Sequence, residues 1–179
     1  PEVMEKIVEI KAVVREPGDR TKIAVTSREK AVDPVGACVG MKGSRIHGIV
    51  RELKNENIDV INFTNNATLF IQRALSPAKI SKVLILDAAE RRMEVIVEEK
   101  QQSLAIGKKG QNVRLAAQLT GWKLDINSES RVKEMKEFAE QSFKAIGLSE
   151  NATDILYGHG FRMARDLLDA NRELLVQVP

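Results

Sequence analysis

Two short stretches of this sequence combine glycine and lysine in a way that suits the binding of an anion. The first is Gly40-Met41-Lys42-Gly43 and the second is Gly107-Lys108-Lys109-Gly110. Glycines at both ends of a tight turn remove two Cβ atoms, so the backbone of a ligand can come close to the chain. The lysines add positive charge, and a helix that starts directly after the turn points its N–H groups and positive dipole end at the same space. Both stretches therefore predict a site for phosphate groups.

The duplication strengthens this prediction, because a single Gly-x-x-Gly turn more often joins two helices for geometric reasons alone. Both copies follow an alternating apolar strand and a Glu-Lys pair, and both precede an amphipathic helix and then another strand. Residues 100–124, around the second copy, contain five Lys or Arg residues and no Asp or Glu. The repeated context favours a binding role over a purely structural one.

The elements that position the turns form two modules of the same order, helix-strand-strand-helix-helix-strand, each with a three-stranded sheet in an α+β fold. In the first module we predict a short helix at residues 1–5, strands at 7–16, 21–26 and 58–62, a lead-in helix capped by Asp33, and a helix at 44–54. In the second we predict a helix at 67–75, strands at 80–87, 93–98 and 122–127, and a helix pair within 104–121.

The module boundaries are placed at residues 1–63 and 64–128, followed by C-terminal helices at 129–179. The connection between the modules is short and modules of this size bury little surface alone, so we expect them to pack together and one nucleic-acid strand to cross both turns. Ser128 is predicted to cap a long helix, and two shorter helices follow, broken at Gly158-His159-Gly160. Two interpretations of this break stay open: a partial helix-hairpin-helix that holds a phosphate, and a plain turn.

Composition argues against several other classes of protein. The net charge is +3, and the single Cys38 excludes an internal disulfide and fits a reducing compartment. With His47 and His159 as the only histidines, we expect no metal site and no cofactor. No apolar run reaches membrane-spanning length and no secretory signal opens the chain, so we expect a cytoplasmic protein without membrane contact. No catalytic constellation or nucleotide-binding glycine motif is present, so we expect no enzyme activity.

Aromatic residues make up only 4% of the chain, which bears on how bases would be bound. RRM domains and OB barrels need exposed aromatic side chains on which bases stack. KH modules instead bind short single strands with a Gly-x-x-Gly turn that clamps the backbone. The scarcity of aromatics favours a KH fold, with bases on an aliphatic groove.

The sequence around both turns resembles the tandem KH region of the NusA family of bacterial transcription elongation and termination factors. The stretches that carry this resemblance are residues 7–12, 15–16, 20–25 and 33–40 for the first KH module, and 106–116 and 119–122 for the second. The resemblance covers residues 1–128 closely and the tail more loosely. It implies prokaryotic (type II) KH folds that bind single-stranded nascent RNA and act on pausing, termination and antitermination.

The resemblance also implies which residues bind RNA. By motif match these are Gly40, Met41, Lys42, Gly43, Arg45 and Ile46 in the first module, and Gly107, Lys108, Lys109, Gly110, Val113 and Arg114 in the second. The lysines and arginines would contact phosphates, and Val39, Ile46, Ile106 and Val113 would line the base groove. The family carries a polymerase-binding domain and an OB-type barrel upstream. Neither is found here, so we expect a fragment whose contact with RNA polymerase needs the full-length factor.

Two other functions compete with this one. A protein-interaction scaffold could keep KH folds whose turns no longer bind RNA, and its partners would be indifferent to nuclease treatment. A ribosome-associated KH protein is the third option, but such proteins usually carry one KH module and not a tandem.

Overall fold

The structure is a computed structural model that describes residues 1–171 of the chain. It divides into two compact units, residues 1–126 and a second unit that begins at residue 127, and both Gly-x-x-Gly turns lie in the first. No helix among the described residues is long and apolar enough to cross a membrane. Within residues 1–171, no group of His, Cys, Asp and Glu side chains is arranged to hold a metal ion.

The first module is built on a three-stranded sheet in the order β1-β2-β3. Its elements are β1 (Val8–Glu16), β2 (Arg20–Ser27), α1 (Pro34–Val39), α2 (Ile46–Glu52) and β3 (Asn57–Asn62). Strand β2 pairs antiparallel with β1 and parallel with β3. Asp33 caps α1 as predicted, accepting bonds from the N–H groups of Val35 and Gly36.

The opening residues differ from the predicted short helix. Glu5 donates to the carbonyl of Pro1 and Ile7 donates to that of Glu2, but these bonds form turns and not a continuous helix. Lys6 has a φ of 60°, a left-handed conformation that interrupts a right-handed helical run before β1 begins.

The second module repeats the plan and includes the leading helix. Its elements are α3 (Ala67–Ala74), β4 (Lys82–Asp87), β5 (Arg92–Val97), α4 (Glu99–Ile106), α5 (Gln111–Thr120) and β6 (Lys123–Ser128). The sheet order is β4-β5-β6, with β4 and β5 antiparallel. The helix pair α4–α5 is connected through the second Gly-x-x-Gly turn, as α1 and α2 are through the first.

The two modules share one hydrophobic core, which confirms the prediction that they pack on each other. A single buried cluster joins Ala24 and Ile61 of the first sheet to Ile71, Leu75 and Met93 of the second module. A polar contact beside this core also links the modules. The fully buried Lys22 donates from Nζ to Asp59 of its own module at 2.8 Å and to the carbonyl of Ser76 in the second module at 3.0 Å. The turns are thus carried on one packed body.

The second unit is helical. It contains α6 (Glu129–Lys144), α7 (Glu150–Gly158) and α8 (Ala164–Asp169), with a small core of Ala139, Phe143, Leu156 and Phe161. Ser128 caps α6 as predicted, and Ser149 caps α7. The part of the predicted tail at residues 172–179 lies outside the described residues.

Candidate nucleic-acid interface

The two turns, here called loop 1 (Gly40–Gly43) and loop 2 (Gly107–Gly110), have nearly the same backbone. The first glycine has φ 74° and ψ 168° in loop 1 and φ 76° and ψ 170° in loop 2. The third residue is left-handed in both, with φ 50° at Lys42 and 52° at Lys109. In each loop the second glycine donates to the carbonyl of the first at 3.1 Å. The sequence repeat is therefore a repeat in three dimensions.

The middle residues of both loops face solvent. Met41 is 89% exposed, and Lys42, Lys108 and Lys109 are exposed as well. The lysine side chains are on the surface of the first unit and are available to an external anion.

The glycines differ in what surrounds them. A Cβ built on Gly107 would lie 2.7 Å from the backbone nitrogen of Asn112, and one on Gly40 would lie 3.0 Å from that of Arg45. The start of the following helix already fills the space beside the first glycine of each loop. Gly110 has φ 73° and nothing within 4 Å of its Cβ position. Room for a ligand backbone is therefore found at Gly110 and not at Gly107.

The N-terminus of α5 has no side-chain cap, unlike the N-termini of four other described helices. The helices α1, α3, α6 and α7 are capped by the side chains of Asp33, Asn66, Ser128 and Ser149. The N-cap of α5 is Gly110, which has no side chain to accept from the first-turn N–H groups. Such an end, beside Lys108 and Lys109, favours an anion.

The two predicted phosphate-binding arginines are both engaged within the protein. Arg45 donates from Nη1 to Glu2 at 2.7 Å and to the carbonyl of Ala37 at 2.6 Å. Arg114 donates two hydrogen bonds to the carboxylate of Glu16, and its Nη1 donates to the carbonyl of Lys109 at 3.1 Å. Arg114 thus contacts loop 2 directly, whereas the partners of Arg45 precede loop 1 in the sequence.

Comparison with known families gives these modules their identity. The family model described as the NusA-like first KH domain matches residues 1–63, and that of the NusA-like second KH domain matches residues 67–134. The chain belongs to the NusA family, as its tandem KH region. Both modules are accordingly KH domains, as the sequence resemblance implies.

Several relatives carry the name transcription termination/antitermination protein NusA. The one from Halalkalibacterium halodurans is 47% identical over 86% of this chain, and the one from Bacillus subtilis is 51% identical over 75%. This chain covers 41% and 36% of those two proteins, so it corresponds to less than half of their length. The crystal structure of APE1850 shares the fold with a TM-score of 0.51 and 24% identity, over 70% of this chain and 94% of that one.

Sequence reasoning missed Asn112, which organises the second KH domain around loop 2. Its side chain is 2% exposed, and Nδ2 donates to the carbonyls of Leu75, Leu104 and Ala105 at 2.9, 3.3 and 3.1 Å. Asn112 occupies the same motif position as Arg45, two residues after the second glycine. A polar residue at that position in both copies was the signal available in the sequence.

The predicted groove residues are partly buried, and Val113 packs against the shared core. Val39, Ile46 and Ile106 have the same intermediate exposure. Partly exposed apolar side chains therefore lie beside each loop.

The break between α7 and α8 is already occupied by a carboxylate. Asp166 accepts from the backbone N–H groups of Arg162 at 2.6 Å and Met163 at 3.0 Å. In the break itself, the N–H groups of His159 and Gly160 donate to carbonyl groups of α7. Of the two interpretations left open, the contacts favour the plain turn.

Proposed function

We propose that this chain binds single-stranded RNA through loops 1 and 2, as part of a transcription termination and antitermination factor. The observation that carries the proposal is the pair of loops with matching backbone geometry and solvent-exposed lysines. The names of the NusA relatives support the role in transcription, and contact with RNA polymerase would belong to the full-length factor.

Each group near the loops has a proposed task. Lys42, Lys108 and Lys109 pair with phosphates, and the open space beside Gly110 admits the sugar-phosphate backbone to the N-terminus of α5. Ile46 and Val113 contribute apolar surface to the bases. Because Arg45 and Arg114 are held by Glu2 and Glu16, their proposed task is to support the loops.

A single RNA strand crossing both loops is the arrangement we favour. The KH domains share a core and the buried contact of Lys22, so their loops move as one body. Binding at one loop then raises the local concentration of the same strand at the other. The resulting affinity would exceed that of either loop alone.

The test is the double variant Lys108→Asp/Lys109→Asp, measured with a short unstructured RNA. We expect it to lose RNA binding and to keep the unfolding midpoint, because both side chains are exposed and removed from the core. For the unmodified chain, contact with about four to six phosphates would make log K fall with log salt at a slope of about −3 to −4.

A matched control separates loop contact from overall charge. Lys79→Asp/Lys82→Asp makes the same charge change on exposed lysines of the same KH domain. It should retain most of the RNA affinity. Equal losses in the two variants would show that only net charge matters, and unchanged affinity in the loop variant would favour the scaffold function.

A further inference from the structure

We propose that loop 2 is completed by a residue of the other KH domain: Glu16, acting through Arg114, is a positioning residue for RNA binding by the second KH domain. The inference rests on the function proposed above and specifies how that site is assembled. We call the chain of contacts Glu16–Arg114–Lys109 the strut.

The first part of the strut joins the two KH domains. Glu16 is the last residue of β1, and its Oε1 accepts from Nε of Arg114 at 2.9 Å and from Nη2 at 2.6 Å. Its other oxygen, Oε2, accepts from Nε2 of Gln111 at 2.8 Å. Gln111 and Arg114 are three residues apart and lie on one face of α5. One carboxylate of the first domain therefore holds the first turn of the helix that follows loop 2.

The second part of the strut reaches the loop itself. Nη1 of Arg114 donates to the carbonyl of Lys109 at 3.1 Å. Lys109 has φ 52°, a left-handed conformation that residues with a Cβ adopt at a cost. Because the guanidinium is a rigid planar fork, a carboxylate that fixes Nε and Nη2 also fixes the direction of Nη1. Glu16 thereby orients the peptide that follows a phosphate-binding lysine.

Loop 1 does not depend on a residue of the other KH domain in this way. The residue at the motif position of Arg114 is His47, whose ring lies against its own loop, 2.6 Å from the Cβ position of Gly43. The remaining support of loop 1 comes from Arg45 with Glu2 and Ala37, all within the first KH domain. Loop 1 is supported from inside its domain, whereas loop 2 takes support from its neighbour.

Electrostatics makes the prediction distinctive. The hydrogen bond from Gln111 and the hydrogen bond and charge of Arg114 lower the pKa of Glu16, so it is ionised at neutral pH. On charge alone, removing this carboxylate should strengthen binding to a polyanion. The strut predicts the opposite. The pair is also partly exposed, 49% for Arg114 and 31% for Glu16, so its loss should leave the fold intact.

The experiment compares Glu16→Gln, Arg114→Gln and the double variant in the whole chain, with a short unstructured RNA as probe. We expect each single variant to weaken RNA binding by about 3- to 10-fold. Without the strut, part of the binding free energy is spent on ordering loop 2 when the RNA binds. The double variant should be no weaker than either single one, because both break the same strut. The salt slope should stay unchanged, since no phosphate contact is removed.

Glu9→Gln is the matched control. It removes the same charge from the same strand, and the side-chain partners of Glu9 are Lys11 and Arg28 rather than a loop residue. NMR of the free protein adds a readout without RNA: Glu16→Gln should shift the amide signals of Lys109 and Gly110, and Glu9→Gln should not.

Three results would overturn the strut. Tighter RNA binding by Glu16→Gln would mean that Glu16 competes with phosphate for Arg114. A salt slope reduced by about 0.7 in Arg114→Gln would mean that Arg114 itself contacts a phosphate. Affinity and loop amides unchanged in Glu16→Gln would mean that the contact positions nothing. If Lys108→Asp/Lys109→Asp loses RNA and Glu16→Gln does not, the strut fails and the proposed function stands; if the lysine variant keeps its RNA affinity, the function fails with it.

Discussion

Alanine at each glycine of loop 2 should have very different costs, although both positions have positive φ. Gly107 combines φ 76° with ψ 170°, a region that is essentially restricted to glycine. A Cβ there would also lie 2.7 Å from the nitrogen and 2.8 Å from the Cβ of Asn112. Gly110 has φ 73° and ψ 16°, the ordinary left-handed region, with nothing within 4 Å.

These geometries set the expected free energies of unfolding. Gly110→Ala should destabilise by about 1 to 2 kcal/mol, the cost of a left-handed conformation for a residue with a Cβ. Gly107→Ala adds a backbone strain of about 1 to 3 kcal/mol and an overlap worth about 1 to 3 kcal/mol. The overlap cannot be relieved by a rotamer change, because it involves the backbone nitrogen and the Cβ of Asn112, which side-chain rotation does not move. We therefore expect Gly107→Ala to cost about 2 to 6 kcal/mol.

Urea unfolding followed by the fluorescence of Trp122 is a suitable assay. Trp122 is the only tryptophan of the chain and packs against the shared core, so its signal reports on the unit that carries loop 2. The reasoning would be refuted if the two alanine variants lost equal stability, or if Gly110→Ala lost more. Either result would mean that the helix start does not occupy the space beside Gly107.

Two further predictions concern the buried charges of the first KH domain. Lys22→Met should destabilise by about 3 kcal/mol in urea unfolding, because Asp59 loses one of its two basic partners among the described residues and the link to the second domain is lost; stability equal to the unmodified chain would contradict this. For Glu56, hydrogen bonds from Arg15 and Thr21 lower the pKa from 4.5 to about 2, so its stabilising contribution is present above pH 4.5 and is lost as the pH falls towards 2. Thermal unfolding between pH 6 and 2 should show a shallower acid decline in Glu56→Gln, and an identical decline would refute the assignment.

The fold was predictable from the sequence wherever a local pattern decided it. The strands β1 and β2, the caps Asp33 and Ser128, and the two glycine turns are all features of short range, and the structure has each of them. The opening residues were the exception. Their composition suits a helix, but the left-handed Lys6 turns the chain into β1 instead.

The support of the loops was not predictable, because it depends on residues distant in sequence. Glu16 and Arg114 are 98 residues apart, and Lys22 and Ser76 are 54 apart. Lys22 has the sequence context of an exposed strand residue, yet packing of the two domains buries it completely. An arginine after a glycine turn likewise suggests a phosphate ligand until the acidic partner is known.

The way in which the two loops are held argues that their backbone shape is what the site requires. In loop 1 the lead-in helix is fixed by Arg45, which donates to the carbonyl of Ala37. In loop 2 the matching carbonyl of Leu104 accepts from Asn112. A charged, exposed side chain and a neutral, buried one thus make the same bond and give first-glycine angles within about 2° of each other. Because the supporting chemistry differs while the loop geometry and the exposed lysines recur, the shared feature is the exposed surface that we propose binds RNA.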